Sequence, residues 1–150
     1  MKDDEKYLKL AIKKSEESFL KGFFPAGAII VKNGKILSSE ISSLNYKHAE
    51  QKALEKAFKK FSPFNNNCTL YASMEPCLMC LSVAYWTGIR RIVFACDKQS
   101  MSLKYFETSK KNQESIKILN EKIDFIQIKA LKNSSLKIIK KWEKINNIKS

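Results

Sequence analysis

Histidine, proline and glycine are scarce in this chain of 150 residues, which has one His, three Pro and four Gly. So few Pro and Gly residues exclude a collagen-like or low-complexity protein. No run of 18 apolar residues occurs, which excludes a membrane-spanning helix. The sequence is 44% hydrophobic and 11% aromatic, a composition typical of a globular protein. At this length we expect residues 1–150 to form a single domain with one core.

Acidic side chains are also few: 15 Asp and Glu stand against 28 Lys and Arg, which gives a net charge of +13. The excess lies in the second half, where residues 76–150 carry 15 basic and 6 acidic side chains, and seven Lys lie from Lys129 onward. Such a charge favours a polyanionic partner, of which RNA is one. Because nearly all the basic residues are Lys, an AT-rich coding sequence explains the same excess without any partner. Both interpretations stay open at this stage.

The four cysteines are too few for a dense disulfide framework. Cys77 and Cys80 have the Cys-x-x-Cys spacing that indicates metal or redox chemistry in a cytosolic protein. The first residues mix acidic and basic side chains and lead into an amphipathic segment, unlike the apolar core of a secretory signal. We therefore expect a cytoplasmic protein that binds no membrane.

Hydrophobic periodicity predicts helices that alternate with strands. Helices are predicted at 4–20, 47–61, 76–88, 109–119 and 136–145, and strands at 26–31, 36–37, 68–73, 90–95 and 123–128. An Asn-Gly turn at 33–34 joins the first two strands, Pro63 ends the second helix, and the Asn run at 65–67 is predicted to be a turn. This order predicts an α/β protein, a three-layer α/β/α domain around a mixed five-stranded sheet.

Two short segments carry residues suited to a metal site: His48-Ala49-Glu50 and Pro76-Cys77-Leu78-Met79-Cys80. Each opens a predicted helix and directly follows a segment that should deliver it to the edge of the sheet. Cys77 and Cys80 lie three positions apart, so their sulfurs project from one side of the first helical turn and can bind one ion. With His48, the only histidine, the ion has three protein ligands. Three ligands are typical of catalytic zinc sites, which leave the fourth position to water.

Glu50 adds a carboxylate two residues from a ligand. A carboxylate there can take a proton from the activated water and pass it to a leaving group. Positions i and i+2 of a regular helix point about 200° apart. The hypothesis therefore requires His48 to lie at the helix cap and not within the helix. Cys68 and Cys96 fall in predicted strands and are interpreted as small core residues, with a fourth metal ligand as the alternative.

These motifs resemble those of the zinc-dependent cytidine and deoxycytidylate deaminase superfamily, which share a His-x-Glu and a Pro-Cys-x-x-Cys signature. The resemblance runs from about Leu8 to about Ala95 and includes residues 25–31 and 70–80. It implies a cytidine-deaminase-like fold and one zinc ion per chain held by His48, Cys77 and Cys80. It also implies that Glu50 shuttles protons, that an exocyclic amine leaves as ammonia, and that the chain forms a homodimer.

Two branches of the superfamily are similar to different parts of the chain. Tyr85-Trp86 and Trp142 resemble the guanine and nucleoside deaminases, whereas Ala26 and the compact Pro-Cys-x-x-Cys motif resemble the tRNA adenosine deaminases. By this resemblance Glu107 is offered as a second acid. Substrate contacts are expected from six residues: Ala26, Ser42, Asn45, Ala49, Glu75 and Glu107.

Three functional hypotheses remain. The leading one is hydrolytic deamination of a free purine base or nucleoside, as in a guanine deaminase. The second is deamination of adenosine to inosine at the wobble position of tRNA, which the net charge favours. The third is a non-catalytic zinc domain that binds RNA or a protein. Glu50 separates the third from the others, because a structural zinc site has no use for a carboxylate beside an open coordination position.

Overall fold

The computed structural model describes residues 2–62 and 67–149, and the helices and strands in this part follow the predicted order. The helices are α1 (Lys2–Leu20), α2 (Ala49–Phe61), α3 (Leu78–Trp86), α4 (Asn112–Lys117) and α5 (Lys132–Ile145). The strands are β1 (Gly27–Lys32), β2 (Lys35–Ile41), β3 (Cys68–Met74), β4 (Arg91–Cys96) and β5 (Asp124–Gln127). Among the described helices, none is both long and apolar enough to cross a membrane.

The strands form one sheet in the order β2-β1-β3-β4-β5. β1 is antiparallel to both of its neighbours, and β3, β4 and β5 run parallel. Alternate strand residues face opposite sides: Ile29 and Val93 pack with α1, whereas Ile30 and Ile92 pack with α2 and α3. The predicted mixed five-stranded α/β sheet is confirmed. Because β3 and β4 are parallel and central, the chain segments that leave their carboxyl ends meet at one edge of the sheet.

Several predicted boundaries are wrong, and some of the errors have a local cause. β2 continues to Ile41 although residues 38–40 are polar, because β2 is an edge strand and Ser38 hydrogen-bonds through its hydroxyl to the Ala53 carbonyl, 2.7 Å away. α3 begins at Leu78, since Cys77 has extended backbone angles. α5 begins at Lys132, four residues early, through a polar first turn. α4 covers only six residues. Pro63 and the Asn65–Asn66 turn lie outside the described residues.

One buried ion pair ties α1 to the central strands. The Asp4 carboxylate accepts hydrogen bonds from Tyr71 of β3 (2.7 Å) and from both terminal nitrogens of Arg91 of β4 (2.8 and 2.6 Å). Asp4 is only 5% exposed. The hydrogen bonds from Arg91 hold the pKa of Asp4 at about 2, below its ordinary value of 3.8. α1 is thereby fixed to the two strands that lead into the functional site.

The lowered pKa of Asp4 predicts an acid-sensitive contribution to stability. This contribution is complete above the ordinary carboxyl pKa of 3.8 and is lost as the pH falls towards 2. At pH 7 we expect Asp4→Asn to lower the free energy of unfolding by about 2 kcal/mol. Near pH 2 the variant and the wild type should be equally stable. Urea denaturation at pH 7, 4 and 2 measures the difference, with the exposed neighbour substituted in Asp3→Asn as control. A loss independent of pH would contradict the prediction.

Candidate metal centre and cavity

Two helix caps bring the candidate ligands together. His48 is the N-cap residue of α2, with φ −69° and ψ 150°, and Cys77 is the N-cap residue of α3, with φ −69° and ψ 170°. Neither side chain caps its own helix. Extended backbone at both positions turns the side chains out of the helical path and towards each other. The requirement that His48 lie at the cap is met.

The ligand atoms of His48, Cys77 and Cys80 lie within 4.8 Å of one another, and no other such group of three occurs in residues 2–62 and 67–149. His48 Nδ1 is 3.3 Å from Cys77 Sγ and 3.5 Å from Cys80 Sγ. Ligand bonds of ordinary zinc length in a tetrahedron place nitrogen and sulfur about 3.6 Å apart. The three side chains therefore have the chemistry and the spacing to hold one zinc ion.

A backbone carbonyl selects which nitrogen of His48 faces the sulfurs. His48 Nε2 lies 2.9 Å from the carbonyl oxygen of Asn45, which can only accept a hydrogen bond. Nε2 therefore carries a hydrogen and donates it, and Nδ1 is the nitrogen that faces Cys77 and Cys80, where loss of its proton frees a lone pair for a metal ion. The loop before α2 thus orients the imidazole as a metal ligand.

The two thiols differ in proton affinity. Hydrogen bonds from Cys80 and His48 lower the pKa of Cys77 to about 5. The shared hydrogen bond and burial raise the pKa of Cys80 well above the ordinary thiol value. The hydrogen bond to Cys77 raises the pKa of His48 to about 9. Cys77 is therefore the sulfur that ionises more readily, and the thiolate is the form that binds metal ions.

Glu50 lies beside this group in the first turn of α2. Its side chain is 3% exposed, and its Oε2 is 3.8 Å from Cys80 Sγ. Burial, together with the negative charge of Cys77, raises the pKa of Glu50 to about 7. A carboxyl group with a pKa near neutrality both accepts and donates protons readily.

A cavity of about 660 Å³ opens next to His48, Glu50 and Cys77. Five of the six expected substrate contacts line it: Ala26, Ser42, Asn45, Glu75 and Glu107. Ala49 does not line it, because its side chain is fully buried in the core between α2 and the sheet.

Sequence reasoning missed an aromatic wall on one side of this cavity. Phe24, Tyr105 and Trp142 all line it, and their ring centroids lie 4.7 to 6.2 Å apart. Tyr105 is held by a hydrogen bond from its hydroxyl to Glu143 of α5, at 2.9 Å. The helical spacing of Trp142 predicts a core residue. Its ring contacts with Phe24 and Tyr105, which come from distant parts of the chain, place it in the cavity wall instead.

Glu75 and Glu107, the acids of the cavity wall other than Glu50, both accept hydrogen bonds from backbone groups. Glu75 accepts a hydrogen bond from the Lys98 N–H at 2.8 Å. Glu107 accepts hydrogen bonds from the N–H groups of Leu78 (3.1 Å) and Met79 (2.8 Å). Each carboxylate therefore links the Cys77 turn to the segment that follows β4.

Cys68 and Cys96 are buried at 1% and 0% exposure and belong to the hydrophobic core on the α2 side of the sheet. The group of potential metal ligands in the described residues does not include either of them. Their burial agrees with their interpretation as core residues, and the alternative of a fourth protein ligand gains no support.

The sequence matches the model of the cytidine and deoxycytidylate deaminase zinc-binding region over residues 1–96. The chain is 35% identical over 102 residues to a tRNA-specific adenosine deaminase of Aquifex aeolicus, an alignment that covers 63% of this chain and 68% of the relative. It is 32% identical over 132 residues to a guanine deaminase of Bacillus subtilis, which covers 83% and 85%. The fold is similar to a solved guanine deaminase of Nitrosomonas europaea, with a TM-score of 0.76, 17% identity, and coverage of 92% of this chain and 83% of that one.

Proposed function

Because the chain belongs to the family of cytidine and deoxycytidylate deaminases, we propose that it is a zinc-dependent hydrolase that removes an exocyclic amine from a nucleobase as ammonia. The observation that carries this proposal is the placement of a buried carboxylate, Glu50, against the His48, Cys77 and Cys80 group at the wall of a cavity. A purely structural metal site would need neither the carboxylate nor the cavity.

We assign one zinc ion per chain to His48, Cys77 and Cys80. The spacing of the three ligand atoms and the orientation of Nδ1 towards both sulfurs support this assignment. When bound, the ion supplies Lewis-acid activation of a water molecule. Cys80 becomes a metal ligand when its thiol loses its proton, and Glu50, whose Oε2 is 3.8 Å from the sulfur, can accept that proton.

Glu50 moves the protons of the proposed reaction. Its carboxylate accepts a proton from the attacking water and passes it to a ring nitrogen of the base. It then transfers the remaining hydroxyl proton to the exocyclic amine, which departs as ammonia and leaves a carbonyl. The pKa of about 7 equips Glu50 for both transfers at neutral pH. Water supplies the oxygen, and the step needs no oxidant or further reactant.

A free purine base or nucleoside is the substrate that we propose first. The aromatic wall of Phe24, Tyr105 and Trp142 encloses one side of the cavity, and a purine ring packs favourably on aromatic side chains. The cavity volume of about 660 Å³ falls within the range of small-molecule sites. The guanine deaminase of Bacillus subtilis, which matches over 83% of this chain, supports the same choice.

The rim of the cavity supports tRNA adenosine as the alternative substrate. Leu44 and Tyr46 line the cavity and are each 61% exposed. Lys47 lies over the Tyr46 ring, 5.4 Å from its centroid, and Lys104 also lines the cavity. An exposed aromatic ring with neighbouring cations is suited to stack on a flanking base and to bind phosphates.

We further propose that the enzyme acts as a homodimer in the cytoplasm. Leu78 and Trp86 of α3 are 38% and 82% exposed, which leaves apolar surface for a second copy. The reduced state of the cysteine ligands suits a cytoplasmic location. A non-catalytic zinc domain that binds RNA or a protein is the competing proposal, and the effect of substituting Glu50 decides between them.

Ammonia release from a panel of substrates tests the proposed activity. The panel comprises guanine, adenine, guanosine, adenosine, cytosine and an anticodon stem-loop, each with zinc-loaded protein. We expect release from a purine base or nucleoside. Replacing Lys47 and Lys104 together by Ala should then change kcat/KM for the free purine less than about threefold, because isolated surface cations contribute little.

Release from the stem-loop alone would favour the tRNA alternative. In that case the same double variant should raise KM at least about tenfold and reduce the salt dependence of binding, since each lost phosphate contact lowers the slope by about one. Protein that binds zinc and releases ammonia from no member of the panel would contradict both substrate proposals.

A further inference from the structure

α3 carries two candidate metal ligands at its start but lacks an N-terminal cap of its own. The first N–H groups of a helix have no partner within the helix and are normally satisfied by the side chain of the N-cap residue. The N-cap residue here is Cys77, and its side chain makes no capping hydrogen bond. Its sulfur instead faces His48 Nδ1 at 3.3 Å. A side chain that serves as a ligand is not available as a cap.

Glu107 supplies the missing cap from a distant part of the chain. Its Oε1 accepts the N–H of Leu78 at 3.1 Å, and its Oε2 accepts the N–H of Met79 at 2.8 Å. These are the first two residues of α3. A negative charge at a helix N-terminus is also favoured by the helix dipole. Both carboxylate oxygens of Glu107 are thus occupied by the turn that joins Cys77 to Cys80.

The segment that contains Glu107 forms hydrogen bonds with the same turn, or with the residues just before it, at two further points. Asn112, which is 1% exposed, donates a hydrogen bond from its side-chain amide to the Pro76 carbonyl at 2.6 Å. The Lys98 N–H donates to Glu75, as described above. Residues 98–112 therefore hold residues 75–79 by side-chain and backbone contacts on both sides of Cys77. Such contacts fix the direction of the ligands without touching the ion.

We propose that Glu107 is a positioning residue. It caps α3 from a distant part of the same chain and so sets the geometry of the turn that joins the candidate ligands Cys77 and Cys80. The part of this inference that concerns zinc affinity rests on the proposed metal site, whereas the capping of α3 does not. It differs from the role of second acid that resemblance implies for Glu107, because the carboxylate acts on backbone N–H groups and not on substrate. Its consequence is that metal affinity depends on a residue that is not a ligand.

Zinc affinity in three variants tests the proposal. In competition with a chromophoric chelator, Glu107→Ala should bind Zn²⁺ about tenfold more weakly than the wild type, the lower end of the effect of residues that orient metal ligands. Glu107→Gln should retain most of the affinity, since its amide oxygen still accepts an N–H. Glu114→Ala, an exposed glutamate in α4, is the control and should equal the wild type. The visible spectrum of the Co²⁺-loaded Ala variant should also shift, whereas that of the Gln variant should not.

Amide hydrogen exchange separates failure of this inference from failure of the zinc site. In metal-free protein, the Leu78 and Met79 amides should exchange at least tenfold faster in Glu107→Ala than in the wild type, while amides in the middle of α2 remain unchanged. Zinc affinity and exchange rates equal to the wild type would overturn the proposal, and a rise in KM alone would assign Glu107 to the substrate. Wild-type protein that binds no zinc would refute the zinc site, and the exchange result would then decide the cap by itself.

Discussion

Glu50→Gln is expected to lower kcat for ammonia release by about 10³-fold or more while zinc remains bound. General acid–base catalysis contributes about 10²- to 10⁴-fold, and Glu50 takes part in both proton transfers of the proposed reaction. Gln has nearly the same shape as Glu, so the buried pocket beside Cys80 should keep its packing. The amide cannot exchange protons at neutral pH. Zinc content should stay at one ion per chain, and KM should change far less than kcat.

The matched control for this variant is Glu55→Gln on the same helix. Glu55 is exposed and pairs with Lys59 at 2.9 Å, away from the metal group. Its replacement should leave kcat within about twofold, since exposed ion pairs contribute little. Undiminished function of Glu50→Gln would remove the enzyme proposal and leave the non-catalytic zinc domain in its place.

Cys80→Ser is expected to weaken zinc binding at least about a hundredfold, because zinc binds cysteine as the thiolate and a serine hydroxyl does not replace it as a ligand. The second effect is on stability. Zinc at a hundred times its Kd stabilises the folded wild type by about 2.7 kcal/mol. The variant should lose this gain, so adding a chelator should lower the urea midpoint of the wild type and leave that of Cys80→Ser unchanged. Metal analysis after dialysis and parallel urea titrations measure both effects.

Cys96→Ser provides the same chemical change at an equally buried position. Cys80 and Cys96 are both 0% exposed, but only Cys80 lies in the candidate ligand group. The control variant should be destabilised by the buried hydroxyl and still bind one zinc ion. If Cys96→Ser lost zinc as Cys80→Ser does, Cys96 would be a ligand and the site would be structural.

The parts of the site that are local in sequence were predictable, and the parts made by distant contacts were not. His48 and Glu50 are two residues apart, and the chemistry itself required the cap position that His48 occupies. The parallel centre of the sheet followed from the alternation of helices and strands. Trp142, in contrast, lies at a helical spacing that fits a core position equally well.

The extent of β2 and the role of Glu107 depend on polar residues, which a pattern of apolar residues does not reveal. β2 includes Ser38, Ser39 and Glu40 because an edge strand needs few apolar side chains, and a pattern of apolar residues cannot reveal such a strand. Glu107 stands 28 residues from the N–H of Met79, and nothing in the sequence indicates which backbone groups its carboxylate accepts. Resemblance to a family names Glu107 but does not describe its hydrogen bonds.

The hydrogen bond that orients His48 comes from the main chain at position 45, and this has a consequence for how the site can change. Every amino acid supplies the same carbonyl, so the side chain at position 45 can be exchanged without altering the imidazole tautomer. Asn45 also lines the cavity. If Asn45 contacts the base as proposed, selectivity for the base and affinity for the metal are separable at this residue. A library randomised at position 45 alone would explore new substrates while the metal ligands keep their arrangement.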